Sequence, residues 1–138
     1  MRALALVLAL AGCDPPTLVW ALDARMSDEQ RGAFAGAMQD WNDLGCDFRL
    51  ATRVEDIEGF VALEVPANGD DGNFNDGENL MRLRPGLPLP RFRATARHEL
   101  GHALNLEHTA AGVMQERISS DTFSPEDHAE RRRVGACQ

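Results

Sequence analysis

The sequence is poor in basic residues and contains neither lysine nor tyrosine. Its 138 residues carry 22 acidic and 14 basic side chains, and the net charge is −8. Every basic residue is arginine, which we attribute to codon usage rather than to chemistry. An acidic surface repels phosphate backbones, so the composition argues against nucleic acid as a partner.

Long hydrophobic runs are also missing. The apolar stretch at residues 3–11 is far shorter than the ~20 residues that a membrane-spanning helix needs. It follows Arg2 and leads into Leu10-Ala11-Gly12-Cys13, which resembles a bacterial lipobox. We therefore predict that residues 1–12 are a lipoprotein signal peptide and that Cys13 carries the lipid. An ordinary signal peptide with a chance cysteine is the alternative.

These features predict an exported protein held by its N-terminal lipid to a membrane of a bacterial cell envelope, facing the periplasm or the surface. There are only three cysteines, and lipidation of Cys13 leaves Cys46 and Cys137. In an oxidising compartment these two could form a disulfide. It would tie the C-terminal end of the chain to the region after the first predicted helix.

Neither internal repeats nor an interdomain linker interrupts residues 13–138, which are predicted to form a single domain. Helices are predicted at about residues 28–43 and 91–104 and from Pro125 onward, after the N-caps Ser27 and Ser124. Apolar runs bounded by turn residues predict strands at 17–23, 47–54, 59–66 and 80–84. The last strand could lie at a sheet edge and pair with a peptide by strand addition.

The segment 67–79 is rich in glycine, aspartate and asparagine, and oxygen-rich loops of this kind can hold Ca²⁺. Its register does not fit an EF-hand, because Asp76 stands where glycine is required and Arg82 where the bidentate glutamate is required. A solvated, turn-rich loop is the preferred interpretation, and a calcium site is the alternative.

The stretch HELGHALNLEH, residues 98–108, combines three histidines with a glutamate. His98 and His102 are four residues apart, so on a helix both can reach one metal ion. A continued helix would carry His108 about 9 Å further along the axis, so the chain must reverse before it. Asn105 tolerates the positive φ that such a reversal needs. Three protein ligands with one open position are typical of catalytic zinc.

The same stretch resembles the HExxHxxGxxH signature of the metzincin zinc endopeptidases, and most closely that of their matrixin (matrix-metalloprotease-like) branch. The resemblance implies that His98, His102 and His108 are zinc ligands and that Glu99 is the general base. It also implies a methionine turn beneath the metal, to which we assign Met114. The sequence departs from the signature at Asn105, which replaces the glycine.

Residues near 33–54 and 123–134 resemble the opening and closing parts of matrixins. The predicted fold is therefore α+β: a small twisted mixed β-sheet with an opening helix, a zinc-binding active-site helix, a Met-turn and a closing C-terminal helix. No segment resembles the cysteine-bearing propeptide of many matrixins. The missing tyrosine excludes the tyrosine that some other metzincins place after the methionine.

The leading hypothesis is a monomeric zinc metalloendopeptidase that cleaves protein or peptide substrates with a metal-activated water, using one catalytic Zn²⁺. One alternative is a catalytically silent zinc-binding or interaction module on the same scaffold, which the presence of Glu99 argues against. The other is a three-histidine zinc hydrolase acting on RNA. The export signal, the acidic charge, Glu99 and Met114 all argue against that alternative.

Overall fold

One face of a five-stranded sheet packs against two long helices, and the core lies between them. The computed structural model describes residues 17–118 and 122–137, so the predicted signal peptide and Cys13 lie outside the described residues. The strands are β1 (Leu18–Leu22), β2 (Phe48–Leu50), β3 (Gly59–Leu63), β4 (Gly72–Asn75) and β5 (Leu80–Leu83). The helices are α1 (Asp28–Asn42), α2 (Leu89–Ala103) and α3 (Pro125–Arg133).

The strand order is β2-β1-β3-β5-β4, and all neighbours are parallel except β4, which runs antiparallel to β5. A mixed sheet with an opening, a central and a closing helix is the architecture that the sequence predicted. Within residues 17–118 and 122–137, no helix is long and apolar enough to cross a membrane.

Three predictions about the strands were wrong. β5, at residues 80–83, lies between β3 and β4 and is not an edge strand. The edge on this side of the sheet is formed by β4, within the segment that was predicted to be a loop, and β2 forms the opposite edge. Glycine and asparagine have low strand propensity, so β4 forms because β5 offers a partner and not because its own residues favour it. The predicted strand 47–54 shortens to β2, and residues 54–56 form a 3-10 turn.

Helix α1 begins at the predicted capping box. The Gln30 N–H donates to Ser27 Oγ at 3.1 Å, and the Ser27 N–H donates to Gln30 Oε1 at 3.0 Å. The apolar stripe of the helix is buried in the core. Helix α2 begins two residues earlier than predicted, because the proline at position 90 is compatible with the first turn of a helix.

Helices α1 and α2 are joined by polar contacts next to the HELGH motif. The Trp41 indole N–H donates to the carbonyl oxygen of Arg97 at 2.8 Å. The Arg97 guanidinium is buried and donates from Nε to Asp40 Oδ2 at 2.7 Å. Removing one partner of a buried ion pair typically costs about 3–5 kcal/mol. These contacts therefore fix the residue that directly precedes His98.

Close packing of Met114 against α2 requires a glycine at position 101. A Cβ atom there would collide with the Met114 sulfur and would come within 3.1 Å of Trp41 Cζ2. Both neighbours are fully buried and have little room to move. Gly101 thus lets Met114 pack directly on the helix between His98 and His102.

We predict opposite effects for two glycine-to-alanine substitutions within helices. Gly101→Ala will lower the free energy of unfolding by about 1–3 kcal/mol, because overpacking outweighs the gain in helix propensity. Gly32→Ala in α1 will raise it by about 1 kcal/mol, because a Cβ atom at position 32 meets no atom within 4 Å. Urea denaturation of both variants tests this pair, and a stabilised Gly101→Ala protein would contradict it.

Candidate metal centre

The chain reverses after α2 as the sequence predicted. Asn105 has a φ of 66°, which confirms the left-handed conformation expected there. The Leu106 N–H donates to the carbonyl oxygen of Gly101 at 3.0 Å, and the Asn105 N–H donates to that of His102 at 2.9 Å. This pair of bonds is a Schellman motif, which satisfies the last carbonyl groups of the helix. The reversal brings His108 back toward the two histidines of α2.

The three histidine rings face one another. Nε2 of His102 lies 3.0 Å from Nε2 of His98 and 3.2 Å from Nε2 of His108. Tetrahedral Zn²⁺ with Zn–N bonds of about 2.0–2.1 Å holds its nitrogen ligands roughly 3.4 Å apart. In the part of the chain that the structure describes, this is the one group of three or more histidine, cysteine or acidic side chains with metal-binding spacing.

Backbone carbonyl groups set the orientation of two of these rings. Nδ1 of His98 lies 2.8 Å from the oxygen of Val113, and Nδ1 of His102 lies 2.9 Å from the oxygen of Leu106. A carbonyl oxygen only accepts hydrogen bonds, so each Nδ1 carries the proton and each Nε2 presents a lone pair to the cluster. Lone pairs converging at this distance repel one another unless a cation lies between them. The donor set therefore fits Zn²⁺.

Burial keeps the helix-borne histidines neutral. It lowers the pKa of His98 to about 4, and the neighbouring histidines act in the same direction while the Val113 carbonyl opposes them. Burial also lowers the pKa of His102. Because a histidine must be deprotonated to bind a metal ion, both rings are ready to act as ligands at neutral pH.

Glu99 lies in the wall of the same cleft as the three histidines, with only 5% of its surface exposed. Within the described ranges, no hydrogen bond or ion pair reaches its carboxylate. Burial raises the pKa of this carboxyl group to about 8, and the negative charge of Asp70 contributes in the same direction. A cation held by the histidines would act in the opposite direction, because it favours the charged form.

Strand β4 passes close to this carboxylate. A Cβ atom at Gly72 would collide with Thr95 and would lie 3.1 Å from Cγ and 3.2 Å from Oε1 of Glu99. The glycine therefore allows the edge strand β4 to lie close to α2. An edge strand leaves backbone N–H and C=O groups unpaired on its outer side, where an extended peptide can add.

The cleft has a volume of about 800 Å³. Its walls are formed by the loop and strand at 68–74, by Arg91 of α2 and by residues 116–118, together with the three histidines and Glu99. A solvent-open cleft of this volume can admit a polypeptide segment.

Arginine side chains neutralise the acidic loop beside the cleft. Asp71 accepts a hydrogen bond from Nε of Arg91 at 2.7 Å and lies 3.4 Å from Nε of Arg84. The Arg84 guanidinium also donates to the carbonyl oxygens of Gly69 and Asp70. The two arginines thus contact oxygen atoms of the kind that would bind Ca²⁺. Calcium binding by this loop stays a prediction.

Met114 belongs to the turn at residues 109–114, which we call the 109–114 turn. It is fully buried, and its carbonyl oxygen accepts the Thr109 N–H at 2.9 Å. The Asp127 carboxylate of α3 accepts the N–H groups of Val113 at 2.7 Å and Met114 at 3.0 Å, and the Thr109 hydroxyl at 2.9 Å. Asp127 therefore fixes the peptide whose carbonyl oxygen orients His98.

This role of Asp127 was not predicted from the sequence. The available signal was the spacing between Ser124 and Asp127. Their side chains form a capping box, with the Asp127 N–H donating to Ser124 Oγ at 3.1 Å and the Ser124 N–H donating to Asp127 Oδ2 at 2.8 Å. The same carboxylate also serves the 109–114 turn, and a local pattern cannot reveal that second partner.

The two remaining cysteines are joined. Cys46, four residues after the end of α1, forms a disulfide with Cys137 after α3, with a Cα–Cα distance of 4.4 Å. The bond links residues 91 positions apart in the sequence. It lies away from the cleft, among residues 103–105 and 134–137.

No protein-family model matches the sequence, and no curated protein matches it. Among solved structures, the chain is similar to high choriolytic enzyme 1, a hatching-enzyme zinc-protease from the medaka fish Oryzias latipes. The TM-score is 0.62 at 13% sequence identity, and the match covers 91% of this chain and 92% of the medaka chain. The similarity confirms the predicted metzincin-like fold.

We predict a pH-dependent stability of the metal-free protein that originates at Glu99. Between pH 6.5 and 8, Glu99 is protonated in the folded chain and ionised in the unfolded chain. The folded state therefore binds more protons, and the free energy of unfolding falls by about 1–2 kcal/mol as the pH rises. Urea denaturation in excess chelator tests this, with Glu99→Gln as the control that lacks the decrease. Equal pH dependence in both proteins would contradict the burial of Glu99.

Proposed function

We propose that the protein is a zinc-dependent metalloendopeptidase, with His98, His102 and His108 as metal ligands and Glu99 as the general base. One observation carries the proposal. Three imidazole nitrogens converge in the wall of an open cleft, beside a buried carboxylate for which the described residues provide no partner. A purely structural metal site has no need of such a carboxylate.

The reaction follows from the placement of these groups. Zn²⁺, when bound, would polarise a water molecule and the substrate carbonyl group. Glu99 accepts a proton from the attacking water and delivers it to the leaving amine. Burial raises the pKa of this carboxyl group, and a cation held by the histidines would oppose that shift and favour the ionised form that accepts a proton. Burial also lowers the pKa of His98 and of His102, which keeps these two ligands neutral.

Substrate alignment is assigned to β4. Its outer edge can pair with an extended peptide by main-chain hydrogen bonds, which place the scissile bond along the cleft next to Glu99. This assignment replaces the earlier expectation for residues 80–84, because β5 is already paired on both sides. Protein or peptide substrates with an extended segment are therefore the proposed substrate class.

Within the metzincins, we propose the matrixin branch. The support is the HELGHALNLEH motif and the lack of any tyrosine, which excludes the post-methionine tyrosine of some other branches. The medaka enzyme is described as a zinc-protease, which supports proteolysis as the activity of this chain.

We further propose that the chain is an exported bacterial lipoprotein anchored through Cys13 and active as a monomer. The disulfide between Cys46 and Cys137 supports an oxidising compartment.

Cys13→Ser will move the protein from the membrane fraction to the soluble fraction, because the lipid attachment is lost. Metabolic labelling with palmitate tests the lipid attachment directly, because the wild-type protein will incorporate the label and Cys13→Ser will not. An unlabelled wild-type protein would indicate an ordinary signal peptide.

We predict that Glu99→Gln will retain one zinc ion per chain and will lose about 10²–10⁴-fold in peptide hydrolysis. The measurement combines zinc analysis by mass spectrometry with cleavage of casein and of a random peptide library. Glu126→Gln is the matched control, because this acid is exposed on α3 and does not line the cleft. It will retain both zinc and activity.

Two outcomes would contradict the proposal. A Glu99→Gln protein with full activity would exclude Glu99 as the base. A wild-type protein that binds one zinc ion but cleaves neither casein nor any library peptide would indicate a catalytically silent zinc module.

A further inference from the structure

The third histidine is the least supported of the three. The ring of His108 is exposed, whereas His98 is buried and His102 is partly buried. Within residues 17–118 and 122–137, no backbone carbonyl accepts a hydrogen bond from Nδ1 of His108, unlike the other two rings. The position of His108 therefore depends on how its backbone is held.

Helix α3 provides that support through Glu130. Its Oε1 accepts the N–H of Glu107, the residue directly before His108, at 3.0 Å. The carboxylate is itself held by two hydrogen bonds from Arg133, from Nε to Oε2 at 2.8 Å and from NH2 to Oε1 at 2.7 Å. The side chain of Glu130 is only 13% exposed. A fixed acceptor thus anchors the backbone next to the third ligand.

Both ends of α3 are fixed in turn. At its N-terminal end, Asp127 binds the 109–114 turn. At its C-terminal end, the disulfide to Cys46 holds Cys137. A groove of about 240 Å³ separates residues 134–137 from the end of α2. Val134, Ala136 and Cys137 also pack against the core, and the disulfide adds a covalent link to these contacts.

We infer that Glu130 is a positioning residue for His108, and that α3, closed by the Cys46–Cys137 disulfide, braces the three-histidine cluster and raises its affinity for the metal. The inference rests on the proposed metal site but not on proteolysis. It predicts that changes on α3, outside the cleft, alter metal binding. Partners of metal ligands typically contribute 10–100-fold to affinity.

The experiment measures the Zn²⁺ dissociation constant of the purified protein by competition with a chelator, and the visible absorption spectrum of the Co²⁺-substituted protein. Glu130→Ala removes the acceptor and will weaken zinc binding about tenfold, with a changed Co²⁺ spectrum. Glu130→Gln keeps an acceptor oxygen and will restore most of the affinity. Glu126→Ala, an exposed acid on the same helix, is the control and will behave as wild type.

A second variant tests whether the disulfide supports the histidine cluster through α3. Cys137→Ser will also weaken zinc binding, and its effect will not add to that of Glu130→Ala, because both act through the position of α3. Should Glu130→Ala fail to fold, as judged by circular dichroism, Cys137→Ser and Glu130→Gln decide the question. The inference would be overturned if Glu130→Ala kept wild-type zinc affinity and an unchanged Co²⁺ spectrum. If Glu130→Ala does not fold, the same result in Cys137→Ser would overturn it. Either result would leave the proposed function intact. Failure of the wild-type protein to bind zinc would instead overturn the proposed function itself.

Discussion

The site depends on the hydrogen bond between Nδ1 of His98 and the carbonyl oxygen of Val113. This bond fixes the tautomer and direction of the most deeply buried ligand, and it requires the 109–114 turn to lie against α2. Asp127 holds that turn by its amide groups, and Gly101 makes room for Met114 beneath it. The metal centre is therefore built by tertiary contacts of α2 with a turn and a third helix, and not by the motif alone.

Two buried carboxylates near the histidine cluster differ in their hydrogen-bond partners. Asp127 accepts hydrogen bonds from the N–H groups of Val113, Met114 and Ser124 and from the Thr109 hydroxyl. Its two oxygen atoms are occupied by these four hydrogen bonds, so they are not available to a substrate. Glu99 also has little exposed surface, but it lines the cleft, no donor among the described residues contacts its carboxylate, and burial raises its pKa. Its oxygen atoms therefore stay available to a group that enters the cleft.

The sequence was most informative where the determinants are local. The HELGHALNLEH spacing led to the three histidines, and the need for a reversal led to the positive φ of Asn105. The capping box at Ser27 likewise located the start of α1. Sequence patterns failed where a partner distant in the chain decides the outcome. Strand β4 forms only beside β5, and Glu130 gains its role only because the chain reversal brings Glu107 to α3.

The central claim is that His98, His102 and His108 bind one zinc ion beside a free Glu99 carboxylate. A crystal structure of the zinc-loaded protein, with anomalous diffraction recorded at the zinc absorption edge, tests it most directly. We predict one anomalous peak at about 2.0–2.1 Å from the Nε2 atom of each histidine, with the Glu99 carboxylate facing the remaining coordination position. A zinc ion bound by other residues, or a Glu99 side chain turned away from the metal, would contradict the account.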